Sequence, residues 1–292
     1  MVDLHIHTTN SDGTYTVREV LEEAEKAKLE VISITDHDCM KAYKDLEKLK
    51  IKDYYTGKII VGCEFKCFLP EYNIPIEILG YGINPHKIEN YFNINSMMKI
   101  QERYLKHLKN IGKEIGLIFD EKLELNENQV YAAAVFEEEL LKYPENKNIM
   151  DKNNISLCPN FYRAEQCNKN SKFYIDEVKD YINLKEIIEK IHNVGGLAFL
   201  AHPYQYPICN VEKLVEDIAK NYEIDGVECY YPTSSKEDTK KMLNICEKYK
   251  LYISGGSDFH GAHKPGIKLG EGMGNLKVEK IVIEPWLSKV LK

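Results

Sequence analysis

The chain has no CxxC pair. Its eight cysteines, at 39, 63, 67, 158, 167, 209, 229 and 246, are scattered, and none stands at zinc-finger spacing from a histidine. Neither a zinc-finger fold nor a disulfide framework is indicated, and the thiols are expected to be reduced and mostly packed. Positive charge is short as well. Against 46 Asp and Glu there are 39 Lys and Arg, a formal net charge of -7. This argues against an extended face built to neutralise many phosphates, although a local patch or a bound cation still suffices for a small anionic substrate. No apolar run approaches the ~20 residues a membrane helix needs, and no basic segment followed by an apolar stretch opens the sequence. A cytoplasmic protein without a membrane partner is expected. No internal repeat or low-complexity tract stands out.

What is there is ordinary globular material. With 292 residues, 43% of them hydrophobic and 29% charged, a sizeable core is available in one large domain or two small ones. Through residue 82, short β-like runs alternate with helical patterns, the signature of βαβ units and a parallel sheet. "VDLHIH" is followed by "TVREVLEEAEKAK", where Thr16 and Glu19 form a capping box and Val17, Val20, Leu21 and Ala24 an apolar stripe. "LEVISITDHD" is a buried strand, Ala42 to Leu49 a helix, "GKIIVGCEFKCF" a third strand and "IPIEILGYG" a fourth, paired with the third. From 84 to 183 the texture turns rich in Asn, Lys, Glu and Tyr, with long helical patterns in "MMKIQERYLKHLKNIGKEIG" and "NQVYAAAVFEEELLKY". That segment reads as a helical insertion forming part of a substrate pocket. The alternation resumes with "LKEIIEKIHNVGG", whose two glycines stop a helix, then "LAFLAHP", a helix near 210 to 221, "IDGVECYY", a helix opened by Ser234 and Glu237, "LYISGGSDFH", and "KIVIEP" as a final strand.

The polar residues carry more information than any one motif. Apolar strands repeatedly end in a side chain able to bind a metal: His5 and His7, Asp36 and His37, Glu64, Glu77, His202, Glu228, then Asp258 and His260. In a parallel barrel the C-terminal strand ends converge on one face, so residues scattered along the sequence meet in one pocket. Histidine with carboxylate is a ligand set for Zn, Mn or Fe. The number of candidates exceeds one site's need, which points to more than one ion with a carboxylate such as Glu64 between two of them. Each residue also has a plainer reading. A single strand-end histidine is more often a packed or surface imidazole, and His5 with His7 on one face of a strand is either a packed polar pair or two arms of a metal site. Asp36 also reads as a residue that orients an imidazole, and Glu228 as ligand, ligand support or plain polarity. The shared placement of His5, His7, His37, His202 and His260 is what tips the balance toward metal.

These residues resemble the PHP family, named for polymerase-associated and histidinol-phosphatase domains. "DLHIHTTNSDGTYTVREVLEEAEKAKLEVISITDHD" is similar to its first two motifs, and "GCEF", "LAFLAHP" and "GGSDFHG" to later ones, in order, over residues 1–83 and 184–275. Within it, "ILGYG", the insertion and "SDFHG" with the later "LG" resemble the branch of small stand-alone metal-dependent phosphoesterases, which includes nucleotide phosphatases and 5'-to-3' exonucleases on short RNA; histidinol-phosphate phosphatases are a neighbouring branch. The resemblance implies an α/β fold, a distorted (β/α)7 TIM-like barrel formed by 1–83 and 184–292 with 84–183 inserted. It also implies two to three divalent ions, Mn, Fe or Zn. By motif position, His5, His7, Glu64 and Asp258 would hold one ion, Asp12, His37 and His260 another, and Glu64 would bridge to a further ion shared with His202. The family commonly has a histidine where this chain has Glu77, and a carboxylate there favours harder ions such as Mn or Fe.

The implied reaction is hydrolysis of a small phosphomonoester, nucleotide-type or similar, by metal-activated water, with His202, His260 and Asp258 at the reacting centre. Relatives acting on nucleotides often carry an arginine motif in the insertion; the nearest segment here, "NQVYAAAVFEEELL", has none. Lys264, Arg163 and His263 are the candidates for substrate contact. Metal-dependent hydrolysis of an amide or another ester, and a module that binds metal without chemistry, are the rival readings.

Overall fold

The computed structural model describes residues 1–88, 94–125, 131–158 and 160–291. The chain divides into two compact units, Met1–Tyr91 with Tyr181–Lys292, and Phe92–Asp180. The first is a mixed α/β unit rich in parallel pairing. Its strands are β1 (Val2–Ile6), β2 (Val31–Ile34), β3 (Lys58–Ile59), β4 (Gly62–Leu69), β5 (Ile74–Tyr81), β6 (Ile182–Asn183), β7 (Leu197–Leu200), β8 (Gly226–Tyr230) and β9 (Tyr252–Gly255). They form a parallel sheet in the order β1-β2-β3 and a six-stranded sheet in the order β6-β4-β5-β7-β8-β9. Two isolated parallel bridges connect the sheets, Ile6 with Phe259 and His37 with Glu64.

Local chemistry sets several boundaries as the sequence predicts. Thr16 and Glu19 close a capping box on the helix Val17–Lys26, and Val17, Val20, Leu21 and Ala24 are its buried stripe. Asn210 caps the helix Val211–Asn221 through its side chain. Four expectations are corrected. "GKIIVGCEFKCF" is two strands in different sheets: after the Ile60 N–H donates to the Ile32 carbonyl, the Val61 carbonyl accepts from the Gly82 N–H and the chain passes from β2 to β5. β5 is antiparallel to both β4 and β7, so the sheet is not all parallel. Only Pro70 to Asn73 separate β4 from β5, with Asn73 left-handed at φ +53°, and so short a link makes a hairpin where a parallel pair would need a crossover. "KIVIEP" is a 3₁₀ turn, Lys280–Val282, leading into the helix Glu284–Val290, because Pro285 fits the first helical turn, where no donor is needed. The cap of the helix Lys236–Tyr249 is Ser235 with Asp238, one residue beyond the predicted pair, since Asp238 reaches back to the Ser235 backbone.

The apolar core of this unit gathers Val2, Leu4, Val31, Leu79, Tyr81, Phe199, Val278 and Trp286. The single tryptophan is fully buried, stacked on Tyr81 at 5.4 Å between centroids, and its indole donates to the Ile253 carbonyl at 3.0 Å. Every residue of β1 is buried, as expected for a strand covered on both faces. Leu4 joins the apolar side; Asp3 and His5 face the other way.

The second unit is helical where described. It contains Ile94–Ile115, Ala132–Leu141 and Asn146–Asn153, and packs Tyr104, Leu108, Phe136, Phe161 and Phe173 into its own core. The predicted helical run at 128–143 begins outside the described residues; its helix is described from Ala132. No described helix is long and apolar enough to cross a membrane.

Candidate metal centre

The two-residue period of β1 brings His5 and His7 side by side, both fully buried, with their Nε2 atoms 3.1 Å apart. Gly256 permits this: a Cβ there would fall 2.4 Å from the His5 Cβ. Glu64 lies between the histidines. Its Oε2 is 3.1 Å from His5 Nε2, 3.2 Å from His7 Nε2 and 3.2 Å from His37 Nδ1, while its Oε1 is 2.9 Å from His202 Nε2. Asp258 Oδ1 completes one side at 3.6 Å from His5 and 3.4 Å from His7. A second pocket forms where Asp12 meets His260 Nε2 at 3.2 Å, His7 Nδ1 at 3.5 Å and His37 Nε2 at 3.6 Å. On the far side Glu77 Oε2 stands 3.3 Å from His202 Nε2.

All nine residues expected as metal ligands therefore converge, and they fall into four overlapping groups able to hold an ion: His7, Asp12, His37 and His260; His5, His7 and Asp258; His5, Glu64 and His202; His37, Glu64 and Glu77. The route differs from the expectation in one respect. Glu64 is third in β4 and Glu77 lies inside β5, so neither sits at a strand's C-terminal end. The split between β3 and β4 moves Glu64 to a strand start, the His37–Glu64 bridge draws it in, and the reversed β5 presents Glu77 from the hairpin's other arm.

The surroundings orient the candidate ligands. Glu228 accepts from His5 Nδ1 at 3.0 Å and from the His202 backbone N–H at 2.8 Å, so it supports two candidate ligands and keeps His5 Nε2 turned inward. His260 Nδ1 donates to the Asp258 carbonyl at 2.9 Å, leaving Nε2 for the pocket. Asp36 does not hold an imidazole, contrary to the sequence reading. It takes bonds from Thr8 N–H, Thr8 Oγ1 and Ser11 Oγ at 2.7, 2.7 and 2.6 Å, because the turn after His7 brings those donors nearer than any ring. Asp3, Thr8, Ser11 and Tyr231 are contributors the sequence analysis missed. Asp3 accepts from Ser257 N–H and Oγ and from Gly270 N–H, tying β1 to the segment that carries Asp258. Tyr231 donates to Asp258 Oδ2 at 2.7 Å. A buried Asp two residues before the first histidine, and a Tyr-Tyr-Pro run after Glu228, are the only local signals of these roles.

Two of the candidate ligands have left-handed backbone, His202 at φ +23° and Asp258 at φ +53°. Such conformations in non-glycine residues cost of order 1–3 kcal/mol each and persist where the surroundings enforce them, commonly at functional sites.

Electrostatics point the same way. Burial opposes ionisation of Glu64, yet His5 and His37 beside it hold its carboxyl well below the usual range. Burial likewise works against Asp12, and His260 with His37 overcome it; for Asp258, His260, His5 and Lys264 do so. Burial pushes the His7 ring down, but Asp258 and Glu64 outweigh it and bring it up to about 10, and Glu64, Glu228 and Asp258 do the same for His5. In His37 burial wins and the ring is lowered. Carboxylates kept ionised in a buried site, among imidazole nitrogens aimed at them, are a donor set that divalent ions fit.

The expected substrate contacts divide. Lys264 Nζ is ion-paired with Asp258 Oδ2 and half-buried, and His263 is exposed, with Nδ1 2.8 Å from the Asp12 carbonyl oxygen. Arg163 is exposed in the second unit. None of the eight cysteines forms a disulfide; five are at least partly buried and Cys158, Cys167 and Cys209 are exposed.

A family profile described as PHP domain matches residues 3–234. Among curated proteins, the chain is 26% identical over 273 residues, 89% of this chain and 94% of the other, to a phosphoribosyl 1,2-cyclic phosphate 1,2-diphosphodiesterase of Eggerthella lenta. It is 22% identical over 277 residues, 92% of this chain and 90% of the other, to a 3',5'-nucleoside bisphosphate phosphatase of Chromobacterium violaceum. Among solved structures, a Bifidobacterium adolescentis protein assigned as a metal-dependent phosphoesterase matches with a TM-score of 0.74 at 20% identity, covering 99% of this chain and 96% of its own.

Proposed function

The chain belongs to the PHP domain family, and on that premise we propose that it is a metal-dependent phosphoesterase hydrolysing a small phosphomonoester, nucleotide-type or similar. The observation that carries the reading is Glu64, whose two oxygens face different ligand groups, Oε2 toward His5, His7 and His37 and Oε1 toward His202. A carboxylate so shared is what a site with two or more ions requires.

In this reading His5, His7, Glu64 and Asp258 would hold one ion, Asp12, His37 and His260 a second, and Glu64 with His202 a further one, Glu77 standing beside His202, with Mn, Fe or Zn suited to such donors. When bound, the ions lower the pKa of water and offset the charge that develops on a phosphoryl group. The protein's own residues do the rest. Burial of His5, His7 and Glu64 keeps bulk water from the ligands, and Glu228 fixes the His5 ring. Lys264, anchored on Asp258, supplies a cation for a substrate phosphoryl oxygen. His263, with Nδ1 engaged by the Asp12 carbonyl, has Nε2 to deliver a proton to the leaving oxygen. His202 and His260 orient the reacting groups.

The strand order supports a distorted barrel for this unit. Following the pairings and the two bridges gives a ring β1-β2-β4-β5-β7-β8-β9, seven strands with one reversed. Eight cysteines without a disulfide among them support a cytoplasmic address. Hydrolysis of a phosphodiester is the second reading, favoured by the 26% identical relative named for a cyclic phosphate.

The test is a substrate panel on protein reconstituted with Mn, Fe or Zn: nucleoside monophosphates and bisphosphates, sugar phosphates, a cyclic phosphodiester, short RNA and amides. Turnover of a phosphomonoester is expected to dominate. Turnover of amides alone would sink the proposal.

A further inference from the structure

We propose that Tyr231 is a positioning residue that fixes two ligands of the centre at once, Asp258 through its hydroxyl and His202 through its ring; this deepens the metal-centre reading above. The geometry divides the Asp258 carboxylate into two halves. Oδ1 faces His5, His7 and His260 at 3.6, 3.4 and 3.3 Å, while Oδ2 accepts the Tyr231 hydroxyl at 2.7 Å and the Lys264 ammonium. An oxygen engaged by two donors is withheld from coordination, so Asp258 presents Oδ1 alone. The other end of Tyr231 touches a different part of the cluster: its ring meets the His202 ring edge to face, centroids 5.4 Å apart at 64°.

The two residues Tyr231 contacts are the two metal-ligand candidates with left-handed backbone, His202 and Asp258. Neither conformation is one its residue adopts by itself, so each ligand depends on neighbours to hold its side chain in place. Tyr231 is suited to that task because its own position is fixed independently. Its carbonyl accepts from Ser234 N–H at 3.1 Å, the preceding Tyr230 carbonyl accepts from Gly256 N–H at 3.1 Å, and Pro232 restricts the Tyr231 backbone from the following position. The side chain is buried. Lys264, by contrast, is a third exposed on a long flexible stem, and it can leave Asp258 for a substrate anion while Tyr231 keeps the carboxylate aligned.

The deciding experiment is calorimetric titration of metal-stripped protein with Mn2+, supported by metal analysis after gel filtration, on wild type, Y231F and Y231L. Y231F removes only the hydroxyl and is expected to weaken Mn2+ uptake about 10- to 100-fold for one ion, with the melting temperature of the metal-free protein unchanged. Y231L removes the ring as well and is expected to weaken a further ion, the one sharing His202. In turnover of a phosphomonoester, Y231F should lower kcat and leave KM unchanged, because the tyrosine does not touch substrate. Wild-type affinity in Y231F overturns the proposal, and so does a Y231F protein that fails to fold or melts several degrees lower without metal, since the hydroxyl would then serve the fold. The titration reads metal directly. Wild-type protein that binds Mn2+ but turns over no phosphoester would defeat the phosphatase reading while still deciding this one, and wild-type protein that binds no Mn2+ overturns both.

Discussion

The two sides of β1 are built on opposite principles. On one, Val2 and Leu4 join Tyr81, Phe199 and Trp286 in an apolar cluster whose few polar atoms are paired, as the Trp286 indole is with Ile253. On the other, His5 and His7 enter a buried group of imidazoles and carboxylates that burial penalises at every position. Removing apolar surface from water stabilises the first side without any ligand, whereas the second holds together at a cost that cations would offset. One five-residue strand thus carries both the support of the unit and its chemistry, and the comparison says which perturbation each side should feel.

The largest effect is expected on the apolar side. Trp286→Ala should lower unfolding stability by about 3–5 kcal/mol in denaturant titration, while the protein that remains folded still takes up metal; a variant of unchanged stability would mean that Trp286 is not central to the core. Next is chelation. If ions compensate the polar side, removing them from a site held at about 100 times Kd should cost about 2.7 kcal/mol, read as a lower melting temperature that Mn2+ restores. Melting indifferent to metal would erase the contrast. Third, Glu228→Ala removes the acceptor of both His5 Nδ1 and the His202 N–H, and a 10- to 100-fold loss in metal affinity is expected in calorimetric titration, with an apo stability lower by about 1–3 kcal/mol for the donors left unpaired.

The smallest effect lies outside both sides. His192 pairs with Asp225 at 2.7 Å, and that hydrogen bond raises its pKa against partial burial. A raised histidine value stabilises the fold fully below the unfolded value of ~6.5 and ceases to do so as pH rises through the folded value. His192→Gln should therefore cost under about 1 kcal/mol near pH 6 and nothing measurable at high pH. A gap that widened with pH would contradict the assignment.

Where the signal was local, the sequence was readable. The capping box at Thr16 and the alternation of His5 with Leu4 depend on residues within one turn or one strand, and His5, His7, His37, His202, Asp258 and His260 were marked by their places at strand ends, whereas Asp12 was marked only by the family resemblance. What escaped it depends on partners far along the chain. Nothing in "GKIIVGCEFKCF" distinguishes a residue paired with β2 from one paired with β5, since both stretches are apolar and β-prone. "KIVIEP" has a strand's composition, and Pro285 starting a helix decides the matter. The Asp36 acceptor role and the Tyr231 contact span 28 and 27 residues and leave no periodic trace.

The partners of β1 have a consequence for how the molecule comes into being. Val2 donates to the Val278 carbonyl, His7 to that of Phe259, and Ile6 bridges Phe259. Residues of β1 are thus completed by residues made about 250 positions later, and contacts of that sequence separation form slowly. Asp258 and His260 arrive with the same segment as these partners. During synthesis the nascent chain accordingly presents His5 and His7 without their full complement of ligands, and the arrival of one late stretch closes the sheet edge and the metal pocket together.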